Sequence, residues 1–203
     1  MTDNPALTDL PPLLTLGHPR LAQRSAPVPV RTIRSKAFRQ RLEILEGAME
    51  AYLGIGIAAP QIGWFERFFL MTVDPQRPGG EPEVVAWINP EIVSAAPERN
   101  WAWEGCLSVP GLRGWIRRPA AVAVRGYNAR GERVSREFAG WPARVFQHEY
   151  DHLDGMLFPY RALDPRHIVS LDELDGREDW PEDWPAPGAA RAPFGAVIPD
   201  GPG

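Results

Sequence analysis

Residues 147–152 contain the pattern H-E-x-x-H, which constrains the fold of this chain more than any other feature. If the segment is helical, His148 and His152 lie one above the other on one face, because residues four apart are neighbours on an α-helix. Two imidazoles placed in this way can bind one metal ion, and the carboxylate of Glu149 can reach a water molecule on that ion. The pattern therefore predicts a helix here and favours metal-assisted hydrolysis.

The pattern alone leaves an alternative open, namely two surface histidines beside a solvated Glu149. A catalytic site of the zinc type usually has three protein ligands and one open position, and the helix supplies only two ligands. Cys106 is the one cysteine of the chain. It is the only soft, anionic candidate for a third ligand, although a lone cysteine is most often a small buried apolar residue.

Composition limits the class of protein further. The 203 residues, of which 44% are hydrophobic and 24% charged, are typical of one soluble domain with a core. A net charge of −4 argues against a nucleic-acid binder, although Arg113, Arg117 and Arg118 form a local basic group that could meet an acidic partner. One cysteine excludes an internal disulfide, and no apolar stretch or leader pattern indicates a membrane span or secretion. We therefore expect a cytoplasmic protein.

The pattern of apolar residues predicts two helices. The first follows Ser35, a plausible N-cap, ends near Gly54, and carries an apolar stripe with helical spacing formed by Phe38, Leu42, Leu45, Met49 and Tyr52. The second is the H-E-x-x-H helix, which Pro142 opens and Gly155 ends.

Between the helices we expect short strands. They cover residues 68–73, residues 84–88 (closed by Asn89-Pro90), and residues 121–127 and 132–138, which a hairpin loop joins; residues 74–83 read as a surface loop. The fold class is α+β, with short antiparallel strands packed around a central, C-terminal metal-binding helix and with an N-terminal helix.

The chain divides into a domain over residues 1–170 and a tail over residues 171–203. The tail is rich in proline, glycine and acidic residues, and it has few aliphatic residues with which to offset the entropy of ordering. We expect it to be flexible, although Trp180, Trp184 and Phe194 could fix parts of it to the domain.

Three separated segments resemble the motifs of the peptide deformylase family. Residues 54–61 (G-I-G-I-A-A-P-Q) are similar to its first motif, residues 104–108 (E-G-C-L-S) to its second, and residues 147–153 (Q-H-E-Y-D-H-L) to its third. Their order and spacing also agree, and the resemblance covers about residues 12–163. It implies that residues 1–170 are a catalytic domain that removes the formyl group from the N-terminal formylmethionine of nascent polypeptides.

The resemblance also implies the metal site. Cys106, His148 and His152 would bind one divalent ion, with Fe²⁺ favoured in bacterial cells and Zn²⁺, Ni²⁺ or Co²⁺ as alternatives that suit the same donor atoms. Transient contact with the ribosome would fit this activity, but the acidic tail disfavours binding to ribosomal RNA.

Further roles follow by the same resemblance. Glu149 would be the general base and acid, while the side-chain amide of Gln61 and the backbone N–H of Leu107 would donate hydrogen bonds to the developing oxyanion. Gly56 would lie against the formyl group and the substrate backbone. Arg113 matches a position thought to meet the substrate backbone, with a solvated arginine as the alternative.

Other positions near the motifs have two interpretations. Ile55, Trp141 and Val145 could form the pocket for the methionine side chain, or they could pack in an ordinary core. Glu104 could accept a hydrogen bond from a metal ligand or from Arg113. We expect Arg144 at the rim of the site, Asp151 pointing to solvent, and His18 and His167 outside the ligand set.

Two other functions remain open at this level. An endopeptidase of the H-E-x-x-H type would need a third histidine or glutamate downstream, and none lies in a convincing setting. A binder that has lost turnover would not need Gln61, Cys106 and Glu149 together, all of which are present.

Overall fold

The computed structural model describes residues 10–73 and 83–200. The expected surface loop at residues 74–83 lies outside this part of the chain, except at Glu83. The described residues form an α+β fold in which both sheets are antiparallel.

Five strands form the first sheet, in the order β1-β2-β3-β6-β7. Their bounds are Gly56–Ala58 (β1), Phe68–Thr72 (β2), Val84–Ala95 (β3), Ala121–Tyr127 (β6) and Arg133–Ala139 (β7). The second sheet has the order β8-β5-β4-β9. Its strands are Arg99–Cys106 (β4), Val109–Pro119 (β5), Ile168–Ser170 (β8) and Ile198–Pro199 (β9).

The predicted N-terminal helix is present as α1, Lys36–Ala51. The hydroxyl of Ser35 accepts a hydrogen bond from the N–H of Phe38 (3.1 Å), which satisfies one free donor of the first turn. The predicted stripe faces the core, where Phe38, Leu45 and Met49 are buried. The helix does not end at Gly54 as expected, because Leu53 already adopts a left-handed conformation, with φ of 55°.

The H-E-x-x-H segment lies in α2, Gly140–Leu153, which contacts β1, β2 and β7. Phe146 on this helix is buried and meets the rings of Phe69 and Trp87 edge to face, with ring centroids 5.2 Å apart in both pairs. Truncating such a buried phenylalanine typically costs ~3–5 kcal/mol. Gly155, with φ of 73°, lets the chain turn away after the helix, as expected.

Strand β3 is longer than predicted. Asn89 and Pro90 do not close it, because the strand continues to Ala95 after a register shift against β6. Asn89 has φ of 49°, and its side chain exchanges two 2.8 Å hydrogen bonds with the backbone of Val28. The Asn-Pro pair therefore forms a bulge whose asparagine side chain holds the backbone at Val28.

The β4–β5 hairpin was not predicted, and it carries Cys106. Cys106 pairs with Val109 across a tight turn formed by Leu107 and Ser108, and a bulge precedes it between Glu104 and Cys106. The hairpin therefore presents the thiol at its tip, beside α2.

The described part of the tail packs on this second sheet, where the sequence suggested a flexible segment. It contains a third helix, α3 (Leu171–Asp175), and the edge strand β9, which pairs with β4. Leu174, Ala189 and Ala192 are buried against Trp103 and Trp115. A few small apolar residues suffice here because the two indole rings already provide a broad apolar surface. Within residues 10–73 and 83–200, none of the helices has the length and hydropathy that crossing a bilayer requires.

Candidate metal centre

The fold brings the thiol of Cys106 to the imidazoles of His148 and His152. One ligand atom from each residue lies within 4.8 Å of the other two, and Cys106 Sγ is 3.3 Å from His152 Nε2. The hairpin tip supplies the sulfur, and one face of α2 supplies the two nitrogens. Three converging protein ligands match the number found in catalytic zinc sites, which keep one position open.

The hydrogen bonds around His148 fit a metal ligand. Its Nδ1 lies 2.9 Å from Glu104 Oε2. Because a carboxylate only accepts, Nδ1 carries the proton and Nε2 keeps its lone pair for an ion. Two nitrogens and one thiolate suit Zn²⁺ and the later first-row divalent metals. The residues present therefore fit a transition-metal ion.

Glu104 is the centre of a buried ion network. Arg118 donates to both of its carboxylate oxygens (2.6 and 2.9 Å), and Arg144 donates to Oε1 (2.5 Å). Burial alone would raise the pKa of Glu104, but Arg118, His148 and Arg144 together hold it well below its usual value. Glu104 therefore stays ionised and fixes His148; its arginine partners are Arg118 and Arg144, with no bond to Arg113 among the described residues.

Arg144 lines the site and is bonded to Glu104, but it is buried and does not stand at an exposed rim. Two other expectations about charged residues are wrong. Asp151 does not point to solvent, because its carboxylate is buried between Arg118 (2.7 Å) and Arg161 (2.6 Å). The basic group around Arg117 is also not free, since Arg118 is buried and Arg117 pairs with Asp200.

Glu149 points into the site from the same helix. Its side chain is buried, its Oε2 has no hydrogen-bond partner among the described residues, and burial raises its pKa to about 7. A Cβ atom built on Gly56 would overlap the Glu149 carboxylate. Only glycine therefore allows β1 to approach the glutamate so closely.

Gln61 is held rigidly beside the cysteine. Its Oε1 accepts from the N–H of Ala58 (2.8 Å), so that its Nε2 points to Ser108 Oγ (3.1 Å) and Cys106 Sγ (3.6 Å). Leu107 follows the cysteine in the hairpin turn. Ser108 was not expected at the site, because a serine after the motif cysteine carries no metal-binding signal of its own.

A cavity of about 330 Å³ opens onto this cluster. Five of the residues expected to meet the substrate line it, namely Arg113, Trp141, Val145, Ile55 and Gly56. Val145 also belongs to the buried core of the first sheet, so it both packs in the core and lines the cavity.

The sequence did not indicate several other cavity residues. Leu53, Phe194 and Gly195 also line the cavity, and only their exposure in the fold reveals them. His18 is exposed and His167 packs against Trp101, away from the ligand cluster.

The fold and the site together are those of a hydrolase of the H-E-x-x-H class in which a cysteine is the candidate for the third metal ligand. A family model described as polypeptide deformylase matches residues 10–167, so the chain belongs to the polypeptide deformylase family. This family is metal-dependent.

Curated relatives and solved structures agree with this assignment. The chain is 48% identical to a peptide deformylase of Thermotoga neapolitana over 158 residues, which cover 78% of this chain and 90% of the relative. It is similar to the crystal structure of Thermotoga maritima peptide deformylase (TM-score 0.68, 39% identity, 76% of this chain and 99% of that one). It is also similar to a Met-Ala-Ser-bound class I type b peptide deformylase of Acinetobacter baumannii (TM-score 0.69, 36% identity, 75% and 98% covered).

Proposed function

We propose that this protein removes the formyl group from the N-terminal formylmethionine of nascent polypeptides and releases formate. The observation that carries the proposal is the convergence of Cys106, His148 and His152 beside the buried Glu149, in a cavity open to a peptide. The relative from Acinetobacter baumannii is described with Met-Ala-Ser bound, which is the tripeptide that remains when formyl-Met-Ala-Ser loses formate.

We propose that Cys106, His148 and His152 hold one divalent ion, natively Fe²⁺, with Zn²⁺, Ni²⁺ or Co²⁺ able to replace it. When bound, the ion would activate a water molecule and polarise the formyl oxygen. Glu104 keeps His148 in the tautomer that binds, and its own charge is balanced by Arg118 and Arg144.

Glu149 is proposed to move the proton. One of its carboxylate oxygens accepts the proton of the attacking water and passes it to the nitrogen of the leaving amine. A pKa of about 7 supports this role, because a group whose pKa lies near the working pH both accepts and returns a proton readily.

Gln61 and Leu107 are proposed to stabilise the oxyanion. The Gln61 amide is fixed through Ala58, so Nε2 is already oriented before the substrate arrives. The backbone N–H of Leu107 is the second donor. Removing one such donor typically costs ~3–4 kcal/mol of transition-state stabilisation.

The cavity walls are proposed to hold the peptide. Ile55, Trp141 and Val145 would take the methionine side chain, Gly56 would leave room for the formyl group beside Glu149, and Arg113 would meet the peptide backbone.

The cellular context is proposed from the substrate. Residues 1–170 would form the catalytic domain. Formylated chains emerge from the ribosome, so the protein would act in the cytoplasm with at most transient ribosome contact, and with no membrane or specific nucleic-acid partner.

Formate release from formyl-Met-Ala-Ser tests the proposal. The wild-type protein should release formate, and Glu149→Ala should lose at least ~100-fold in kcat while its metal content is unchanged. Glu98→Ala, a change at an exposed carboxylate outside the cavity, is the matched control and should keep full activity. Undiminished turnover of the metal-loaded Glu149→Ala protein would contradict the role of Glu149.

A further inference from the structure

The C-terminal segment, residues 171–200, reaches the cavity that holds the ligand cluster. Phe194 and Gly195 line this cavity together with Trp103 and Trp141. The family match ends at residue 167, so this wall is built by residues that the family model does not cover. Family membership therefore does not explain why the segment is there.

The backbone is anchored on both sides of Phe194. Before it, the carbonyl of Ala189 accepts a hydrogen bond from Trp103 Nε1 (3.0 Å), and Ala192 is buried. After it, β9 pairs with β4, and the N–H of Asp200 donates to the carbonyl of Arg99 (3.0 Å). The segment is thus held in register with the cavity.

Arg177 packs over the ring of Phe194. The guanidinium of Arg177 lies 5.3 Å from its centroid, and Arg177 is itself held by the carbonyls of Leu174 (2.8 Å) and Ala190 (3.1 Å). Even so, Phe194 is 48% exposed. The segment therefore presents a fixed aromatic ring with an uncovered apolar surface.

Two other exposed apolar side chains share the lining of this cavity. Leu53 is 91% exposed and Ile55 is 45% exposed. Single exposed apolar residues are common on protein surfaces, but several around one cavity indicate a binding site for an apolar group.

The C-terminal segment runs past the start of α2, next to Trp141. Val197 Cγ2 would lie 3.9 Å from a Cβ atom on Gly140, the first residue of α2, and Trp141 follows it. The hydrogen bond from Trp103 Nε1 to the carbonyl of Ala189 ties the segment to a second tryptophan that lines the cavity. Trp141 belongs to the group of residues proposed to take the methionine side chain.

We infer that Phe194 packs against the first side chain of the formyl peptide and so raises the selectivity for methionine, an inference that rests on the proposed function. The C-terminal segment is then part of the substrate-binding site. A methionine side chain is long enough to cover the ring, whereas an alanine side chain leaves it exposed.

The experiment compares formyl-Met-Ala-Ser with formyl-Ala-Ala-Ser in the full-length, metal-loaded protein. Phe194→Ala should raise KM for the methionine peptide about fivefold, as expected when roughly 40 Å² of apolar area loses its cover. It should leave kcat and the kinetics of the alanine peptide within about twofold. Phe194→Leu keeps an apolar side chain and should recover most of the loss. Trp184→Ala, at a 38% exposed aromatic residue of the same segment outside the cavity, is the control.

Each outcome decides the inference. A fall in the ratio of the two kcat/KM values in Phe194→Ala, but not in Trp184→Ala, supports it. An unchanged ratio in Phe194→Ala overturns it and leaves the proposed function intact. An equal fall in Trp184→Ala would mean general loosening of the segment and would also overturn it. A wild-type protein that releases no formate from either peptide would refute both the proposed function and the inference.

Discussion

Replacing Arg118 by methionine tests the ion network that surrounds the metal ligands. Arg118 is buried and donates to Glu104 and to Asp151, two buried carboxylates on different elements of the fold. Methionine keeps much of the volume of the side chain but removes the charge and the hydrogen bonds. The variant therefore leaves two buried carboxylates with fewer partners.

The structure sets the size of the effect. Removing one partner of a buried ion pair typically costs ~3–5 kcal/mol. The lower end applies here, because Arg144 still donates to Glu104 and Arg161 still donates to Asp151. We expect a loss of about 3 kcal/mol, which for a chain of this length lowers Tm by roughly 6–12 °C.

Urea unfolding and thermal unfolding of protein with equal metal content would measure this loss. Arg125→Met is the matched control, since Arg125 makes a similar pair with Glu91 while both side chains are more than half exposed. The control should lose no more than ~1 kcal/mol. A loss below ~1 kcal/mol in Arg118→Met, or an equal loss in the control, would refute the account of the network.

Three further variants or treatments test the site itself. Gly56→Ala should lower kcat/KM for formyl-Met-Ala-Ser by ~100-fold, because the added methyl group displaces Glu149; near-normal kinetics would show that β1 moves away without cost. Gln61→Leu should lower kcat by ~100–1,000-fold with little change in metal content, and a change confined to KM would argue against an oxyanion role. Removing the metal with a chelator should lower Tm, by an amount equivalent to ~2.7 kcal/mol when the metal had been present at 100 times its Kd, and adding Zn²⁺ should restore it. A Tm that does not respond to chelator would contradict a resident ion.

Periodic and locally capped elements of this fold could be predicted from the sequence. The apolar stripe on α1 repeats with helical period, and Ser35 caps the helix by accepting a hydrogen bond from Phe38, three residues later. The hairpin joining β6 to β7 has its own turn sequence, and the motif helix has Pro142 and Gly155 at its ends. In each case the residues that decide the structure are near neighbours in the chain.

The hairpin tip and the tail could not be predicted in the same way. Strands β4 and β5 combine glycine, arginine and tryptophan without clear alternation, so their pairing depends on the partner strand. The tail has too few apolar residues for a core of its own, and it packs on Trp103 and Trp115, which lie much earlier in the chain. Trp103, for example, bonds to Ala189, 86 residues later. Such contacts depend on the finished domain.

The residues of the candidate site also fall into those that local motifs predict and those whose position depends on tertiary contacts. The three metal-ligand candidates could be predicted because they lie in recognisable sequence motifs, and so could Gln61 and Glu149. The structure brings all five residues together. Charged residues are usually exposed, so the sequence predicts that Asp151 faces solvent. Its burial depends on Arg118, 33 residues earlier, and on a tertiary contact that the sequence pattern does not record.

The coordination of the metal in zinc-loaded protein tests the central claim most directly. X-ray absorption spectroscopy should find one sulfur at ~2.3 Å and two imidazole nitrogens at ~2.0–2.1 Å, and the sulfur should disappear in Cys106→Ser. A spectrum of the wild-type protein with no sulfur neighbour would contradict the account, because it would place the ion elsewhere than between the hairpin tip and α2.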